Sequence, residues 1–151
     1  MNLSARIEQD YIAAYKAKDS LRLSVLRLVK TAAKNMLVEL KRPGGALSDA
    51  ELCAVLVKQA KQRQDSIEQF RAASRYDLAD KEDAELRILQ EYLPKPLSPE
   101  ELEAAISAAI AETGASSPRD MGRVMQKLTT DYAGRVDGKS LSNLVRARLA
   151  P

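Results

Sequence analysis

Apolar residues recur every three or four positions along most of this chain, which is the spacing of one face of an α-helix. This pattern and its interruptions predict helices at about 4–18, 20–40, 49–73 and 78–92. The clearest apolar face lies on the second of these helices: Leu21, Val25, Leu28, Val29, Ala32 and Met36. Four further residues are expected to form a buried face on the first: Ile7, Tyr11, Ala14 and Tyr15. Tyr92 is also expected to pack in the interior.

A proline-rich segment separates these four helices from the rest of the chain. Pro94, Pro96 and Pro99 fall within six residues, and each proline fixes φ and removes a backbone donor. Ser98-Pro99-Glu100-Glu101 is typical of a helix start, and Ser117-Pro118-Arg119-Asp120 repeats it with an aspartate. Helices are therefore expected at about 99–114, 118–130 and 140–149. The predicted domains are an N-terminal four-helix domain, 1–93, and a C-terminal three-helix domain, 97–151.

The composition favours an all-α fold and excludes several kinds of chemistry. Aromatic residues make up 4% of the 151 residues, and the common residues are helix formers. The chain has no histidine and a single cysteine, Cys53, which excludes a Ser-His-Asp triad, a Cys-His pair and an intrachain disulfide. Its apolar stretches are too short to cross a membrane, and the N-terminus lacks the pattern of a signal peptide. We therefore expect a cytoplasmic protein with no catalytic residues, no cofactor, no metal and no membrane partner.

Several segments, read in order along almost the whole chain, resemble the YqeY family. They are Lys61–Phe70 (KQRQDSIEQF), Glu91-Tyr92-Leu93-Pro94, the run from Gly114 to Asp120-Met121-Gly122, and Gly134-Arg135-Val136-Asp137-Gly138. YqeY proteins are free-standing relatives of the tail of GatB, a subunit of the glutamine-dependent aminoacyl-tRNA amidotransferase. That tail binds tRNA and holds no amidotransferase active site. The resemblance therefore implies two helical domains and tRNA as a ligand class, and it implies no reaction.

Basic residues line up on the last two predicted helices. The region 115–151 has a net charge of +4, whereas the preceding helix, 97–114, has −4. Such polarisation is typical of a surface that binds phosphate, although solvated helix faces also carry basic residues. The candidate RNA-binding residues are Arg119, Arg123, Lys127, Arg135, Lys139, Asn143 and Arg146.

A second basic face is predicted on the N-terminal helices. Residues 16–42 contain eight bases and two acids, and Lys16, Arg27, Lys30, Lys34 and Lys41 fall on one side of a helical wheel. Arg27, Lys30 and Lys34 form its centre. This face is interpreted as an additional RNA track, as a docking surface for an acidic protein, or as solvated surface.

Four other features of the sequence are candidates for function or structure. Gly134–Ser140 is one residue short of a phosphate-binding P-loop, and it is either a weak phosphate site or a turn capped by Asp137 or Ser140. Tyr132 is a candidate for stacking on a base. Cys53 is expected to be a buried small hydrophobe. The acidic run Asp80, Glu82, Asp83 and Glu85 is expected to be solvated surface.

The favoured hypothesis is a non-catalytic tRNA-binding accessory protein that uses its C-terminal domain. One alternative is a helical adaptor that docks on an aminoacyl-tRNA synthetase or amidotransferase through residues 16–42. Another is an accessory amidotransferase (carbon–nitrogen ligase) component. No Ser-Ser-Lys amidase arrangement is visible, which counts against an active subunit. The sequence leaves the oligomeric state open.

Overall fold

The computed structural model describes residues 2–150, and the regular elements in this range are all helical, which confirms the all-α class. The bounds lie within a few residues of the predicted ones. The α-helices are α1 (Leu3–Ala17), α2 (Ser20–Glu39), α3 (Asp49–Ala72), α4 (Tyr76–Gln90), α5 (Pro99–Thr113), α6 (Met121–Asp131) and α7 (Gly138–Leu149). A 3₁₀ turn, Pro118–Asp120, precedes α6.

Local capping explains where most of these helices begin and end. Ser48 Oγ accepts a hydrogen bond from the Glu51 backbone N–H at 3.1 Å, and the Glu51 carboxylate accepts one from the Ser48 N–H. Ser98 and Glu101 form the same reciprocal box at the start of α5. Gly114, at φ 67°, ends α5 in the left-handed conformation that glycine adopts without a steric cost. The helix predicted from 118 begins as α6 only at Met121, because Pro118–Asp120 forms the 3₁₀ turn.

The contacts divide the chain into two compact units, Met1–Leu93 and Pro94–Pro151. The first has a core centred on α2, α3 and α4, where Leu26, Leu56 and Leu89 are fully buried. The core of the second is formed by α5, α6 and α7, with Ile106 and Leu128 at its centre. Independent folding of the domains stays a prediction.

Tyr15 is not a core residue, so that expectation is wrong. Its side chain is 66% exposed, whereas Tyr92 is buried and Tyr11 is half-buried. Ile7 and Ala14 occupy the buried stripe of α1. Tyr15 follows Ala14 directly and is rotated by about 100° from it, which turns its ring towards solvent.

The acidic run on α4 is solvated only in part, because Glu85 is buried against α3. Its Oε2 lies 3.3 Å from Arg63 Nε, and both residues are less than 10% exposed. The burial of this pair could have been predicted from the sequence, because Arg63 falls between Ala60 and Ile67 on the apolar stripe of α3. A charged residue on each of two facing apolar stripes indicates an internal ion pair.

Candidate nucleic-acid interface

The acidic helix α5 supplies internal counterions for the basic residues that follow it. Glu112 lies 2.7 Å from Lys127 Nζ, Glu103 lies 2.5 Å from an Arg148 Nη, and Glu101 lies 3.4 Å from an Arg135 Nη. Three of the four glutamates of α5 are therefore paired with bases from later in the unit. The folded unit therefore neutralises part of the charge separation that is seen along the sequence.

The predicted stripe of bases on α6 lies at the junction with α5. Arg123 pairs with Asp120 at 2.6 Å and donates to the Thr113 carbonyl, one of the free acceptors at the end of α5. Lys127 bridges Glu112 and Asp131, and these carboxylates raise its pKa. Arg119, on the 3₁₀ turn, is exposed and has no ion-pair partner among residues 2–150. Two of the three residues in the stripe are thus held by the protein itself.

Asp120 explains how the α5–α6 turn is fixed. Its carboxylate accepts hydrogen bonds from the backbone N–H groups of Ser116 and Ser117, at 2.9 and 3.2 Å. Together with the Arg123 guanidinium, these donors hold the pKa of Asp120 below its usual value, with the Ser116 N–H the largest cause. Asp120 therefore stays charged as both a cap and a counterion.

Arg135 has a structural role in the second unit. Its Nε donates to the Lys95 carbonyl at 2.9 Å, and its own carbonyl accepts from the Leu97 N–H at 3.0 Å. It also pairs with Glu101. These contacts hold the chain before α5 against the α6–α7 turn and engage two of the three guanidinium nitrogens.

The glycine-rich turn before α7 is closed by Asp137. This carboxylate accepts from the Ser140 N–H at 3.2 Å and from the Ser140 hydroxyl at 2.7 Å, which lowers its pKa. A phosphate at this helix start would meet a charged carboxylate, so the interpretation as a turn capped by Asp137 fits the structure best. Tyr132 is half-buried and packs against the core of the second unit, which leaves little of its ring for stacking on a base.

The outer face of α7 presents the remaining predicted residues to solvent. Lys139, Asn143 and Arg146 are exposed and lie opposite the buried stripe of α7, Leu141, Val145 and Leu149. Within residues 2–150, none of the three exposed side chains forms a hydrogen bond or an ion pair. They form the largest group of predicted site residues that the structure leaves available on one helix face.

The second basic face on α2 is partly engaged. Lys30 lies 2.8 Å from Glu8 and 4.1 Å from the centre of the Tyr11 ring. Arg27 and Lys34 are exposed and have no ion-pair partner in the described part of the chain. Arg22, on the same helix, is paired with Glu91.

Sequence reasoning missed a polar cluster at the end of α4. Arg22 binds both carboxylate oxygens of Glu91, at 2.5 and 3.1 Å, and Tyr92 donates its hydroxyl hydrogen to Asp10 at 2.5 Å. The Arg6 guanidinium lies 4.7 Å from the centre of the Tyr92 ring. Burial, followed by the Asp10 carboxylate, raises the pKa of Tyr92 to about 12. This cluster ties the end of α4 to α1 and α2. The one feature of the sequence that pointed to it was the Glu91-Tyr92 pair within the segments that resemble the YqeY family.

Other chemical features are few in the described part of the chain. Residues 2–150 hold no group of three or more His, Cys, Asp or Glu side chains placed to bind a metal ion. None of the helices in this range has the length and apolar content needed to cross a bilayer. Cys53 is half-buried rather than fully buried, and its burial raises the pKa of the thiol, which disfavours the nucleophilic thiolate.

The fold and the candidate site define an all-α protein with an exposed basic and amide-bearing face on its last helix. The chain belongs to the YqeY family: the family model described as Yqey-like protein matches residues 4–149.

Curated relatives match over nearly the whole chain. The protein named "Altered inheritance of mitochondria protein 41, mitochondrial" from Lachancea thermotolerans is 29% identical over 96% of this chain and 78% of its own length. The protein of the same name from Kluyveromyces lactis is 32% identical over 95% of this chain and 74% of its own. The protein of the same name from Pyrenophora tritici-repentis is 28% identical over 93% of this chain and 77% of its own length. These names contradict the predicted cytoplasmic location, since all three call the relative mitochondrial.

Proposed function

We propose that this YqeY family member binds tRNA without catalysing a reaction on it, and that the outer face of α7 contacts the RNA backbone. The observation that carries the proposal is the exposed set Lys139, Asn143 and Arg146, whose side chains form no hydrogen bond or ion pair within residues 2–150. The charge of Lys139 still acts on Asp137, where it adds to the Ser140 hydrogen bonds in lowering the pKa of the carboxyl group. Two cations and an amide on successive turns extend about 10 Å along the helix, at 1.5 Å per residue. Lysine, arginine and asparagine side chains commonly donate hydrogen bonds to phosphate oxygens.

The ligand class rests on the resemblance to the tRNA-binding tail of GatB. Contacts to phosphate and sugar position a protein on RNA but carry little sequence information. Binding is therefore expected to depend on the shape and charge of the RNA and to weaken steeply as salt concentration rises.

The test compares two pairs of substitutions that remove the same charge from the same unit. Lys139→Gln with Arg146→Gln removes two cations that have no ion-pair partner among residues 2–150. Arg123→Gln with Lys127→Gln removes two that are ion-paired, although Arg123 is also exposed. Fluorescence anisotropy with labelled unfractionated tRNA should show at least a tenfold loss for the α7 pair and less than threefold for the α6 pair. Circular dichroism melting of each variant checks that the fold is kept.

The salt dependence gives a second readout. Each phosphate contact that is lost should reduce the slope of log affinity against log salt by about one, so the α7 pair should lower it by about two. Equal losses of tRNA affinity for both pairs of substitutions would mean that binding depends only on the net charge of the protein. No loss for either pair, with a loss for Arg27→Gln and Lys34→Gln, would assign the RNA to the N-terminal basic face instead.

A further inference from the structure

A cleft of about 310 Å³ opens in the first unit between α1, α2 and the loop before α3. The buried side chains of Ile7, Val29 and Leu52 form its apolar floor. Ala33, a small residue on α2, leaves room above that floor, and Lys30 and Lys34 lie along the same edge. The cleft therefore combines a hydrophobic interior with a cationic edge.

The two lysines on this edge differ in what they already bind. Lys30 is held by Glu8 and by the Tyr11 ring, whereas Lys34 is exposed and has no ion-pair partner in residues 2–150. Val38, one turn further along α2, is 58% exposed. The edge of the cleft thus offers one available positive charge, on Lys34, and the exposed Val38 follows it on α2 just outside the cleft lining.

We propose that this cleft docks a helix of a partner protein that inserts one large apolar side chain and places an acidic residue, one turn away, against Lys34. A cleft near the lower end of the 300–1,000 Å³ range of small-molecule sites, and open to solvent, suits inserted side chains better than a whole enclosed ligand. Amphipathic helices dock in apolar grooves through anchors spaced by three or four residues. The charged residues that line the cleft are Glu8, Lys30 and Lys34. Because Glu8 pairs with Lys30, the net charge left at the edge is that of Lys34, which favours an acidic residue on the partner.

The test is a selection of phage-displayed 12-residue peptides on the full-length protein in the absence of RNA. Enriched peptides should pair a Leu, Ile, Met or Phe with an Asp or Glu three or four positions away. Nuclear magnetic resonance titration with one synthesised peptide should shift the backbone amides of Ala33, Leu37 and Leu47. Its affinity should fall at least tenfold with Lys34→Glu and with Ala33→Phe, which fills the cleft.

The matched control is Lys58→Glu, which makes the same charge change at an exposed lysine on α3 outside the cleft. It should change the peptide affinity by less than twofold. Each of three results would overturn the proposal. The selection enriches no peptide, the enriched peptides lack an acidic residue, or the peptide binds the Lys34→Glu variant as tightly as the parent protein. A further outcome would also overturn the proposal: tRNA displaces the peptide, and the Lys34→Glu variant no longer binds tRNA. That result would assign the cleft edge to RNA.

Discussion

Lys127 on α6 and Glu112 on α5 form an ion pair with 2.7 Å between Nζ and Oε2. The two residues belong to segments whose opposite net charges predict a polarised domain. In the folded unit the charges are neighbours, so the acidic helix neutralises part of the basic region rather than standing apart from it. The charge available to an external phosphate is consequently smaller than the sequence count: in region 115–151 it is left on Arg119, before α6, and on Lys139 and Arg146 of α7.

The buried pair between Arg63 and Glu85 should dominate the effect of polar substitutions on stability. Glu85→Ala leaves the Arg63 guanidinium buried without its counterion and should lower the free energy of unfolding by about 3–5 kcal/mol. Arg63→Met combined with Glu85→Leu should recover much of that loss, because no uncompensated charge remains. Urea unfolding measures both. The control is the pair of Asp83, which is half-buried, with Arg87, which is exposed: Asp83→Asn should cost less than about 1 kcal/mol.

The pairing of Glu91 with Arg22 should make stability fall at acidic pH. Hydrogen bonding to Arg22 holds the pKa of Glu91 below its ordinary value of 4.5. A carboxyl group with a lowered folded-state pKa contributes stability that is present above the unfolded-state pKa and is lost as pH falls through the folded one. Glu91→Gln should lower the free energy of unfolding at pH 7 by up to about 1 kcal/mol, because the pair is half exposed. Below pH 4 its difference from the parent should shrink, and a difference that stays constant from pH 7 to pH 2.5 would contradict this cause.

Lys18 ends α1 in the left-handed conformation, at φ 56° and ψ 33°. A side chain there costs roughly 1–2 kcal/mol that glycine avoids, although glycine loses more entropy on folding. Lys18→Gly should therefore raise the free energy of unfolding by about 0.5–1 kcal/mol. Lys16→Gly, two residues earlier but inside the helix, should lower it by about 1 kcal/mol. Thermal melts that move in the same direction for both variants would refute the conformational explanation.

The contacts of Arg135 lead to a prediction about the C-terminal unit in isolation. A fragment of residues 94–151 should show helical circular dichroism and a cooperative melt. A fragment of residues 98–151 loses the Lys95 carbonyl and the Leu97 N–H that bond Arg135. It should be less stable by about 1–3 kcal/mol, at roughly 1 kcal/mol for each hydrogen bond. An unfolded 94–151 fragment would refute the division into independent domains.

The helix bounds were predictable because helix starts and ends depend on neighbouring residues. Ser48 with Glu51 and Ser98 with Glu101 satisfy backbone donors within a single turn, and Gly114 ends a helix through its own φ. The exception at Pro118–Asp120 has the same local origin. There the turn stays 3₁₀ and its aspartate bonds back to the N–H groups of Ser116 and Ser117.

By itself, the sequence determined the all-α class, the approximate helices, the family resemblance and the residues that are candidates for binding RNA. These follow from periodicity, capping and residue type, which act over a few positions along the chain. Only the tertiary structure decided which candidates are available. Arg123, Lys127 and Arg135 are held in ion pairs, whereas Arg119, Lys139, Asn143 and Arg146 are exposed and form no ion pair within residues 2–150. The physical reason is that the partners of an ion pair such as Glu112 and Lys127 lie on different helices. Their distance is set by helix packing, which periodicity does not encode.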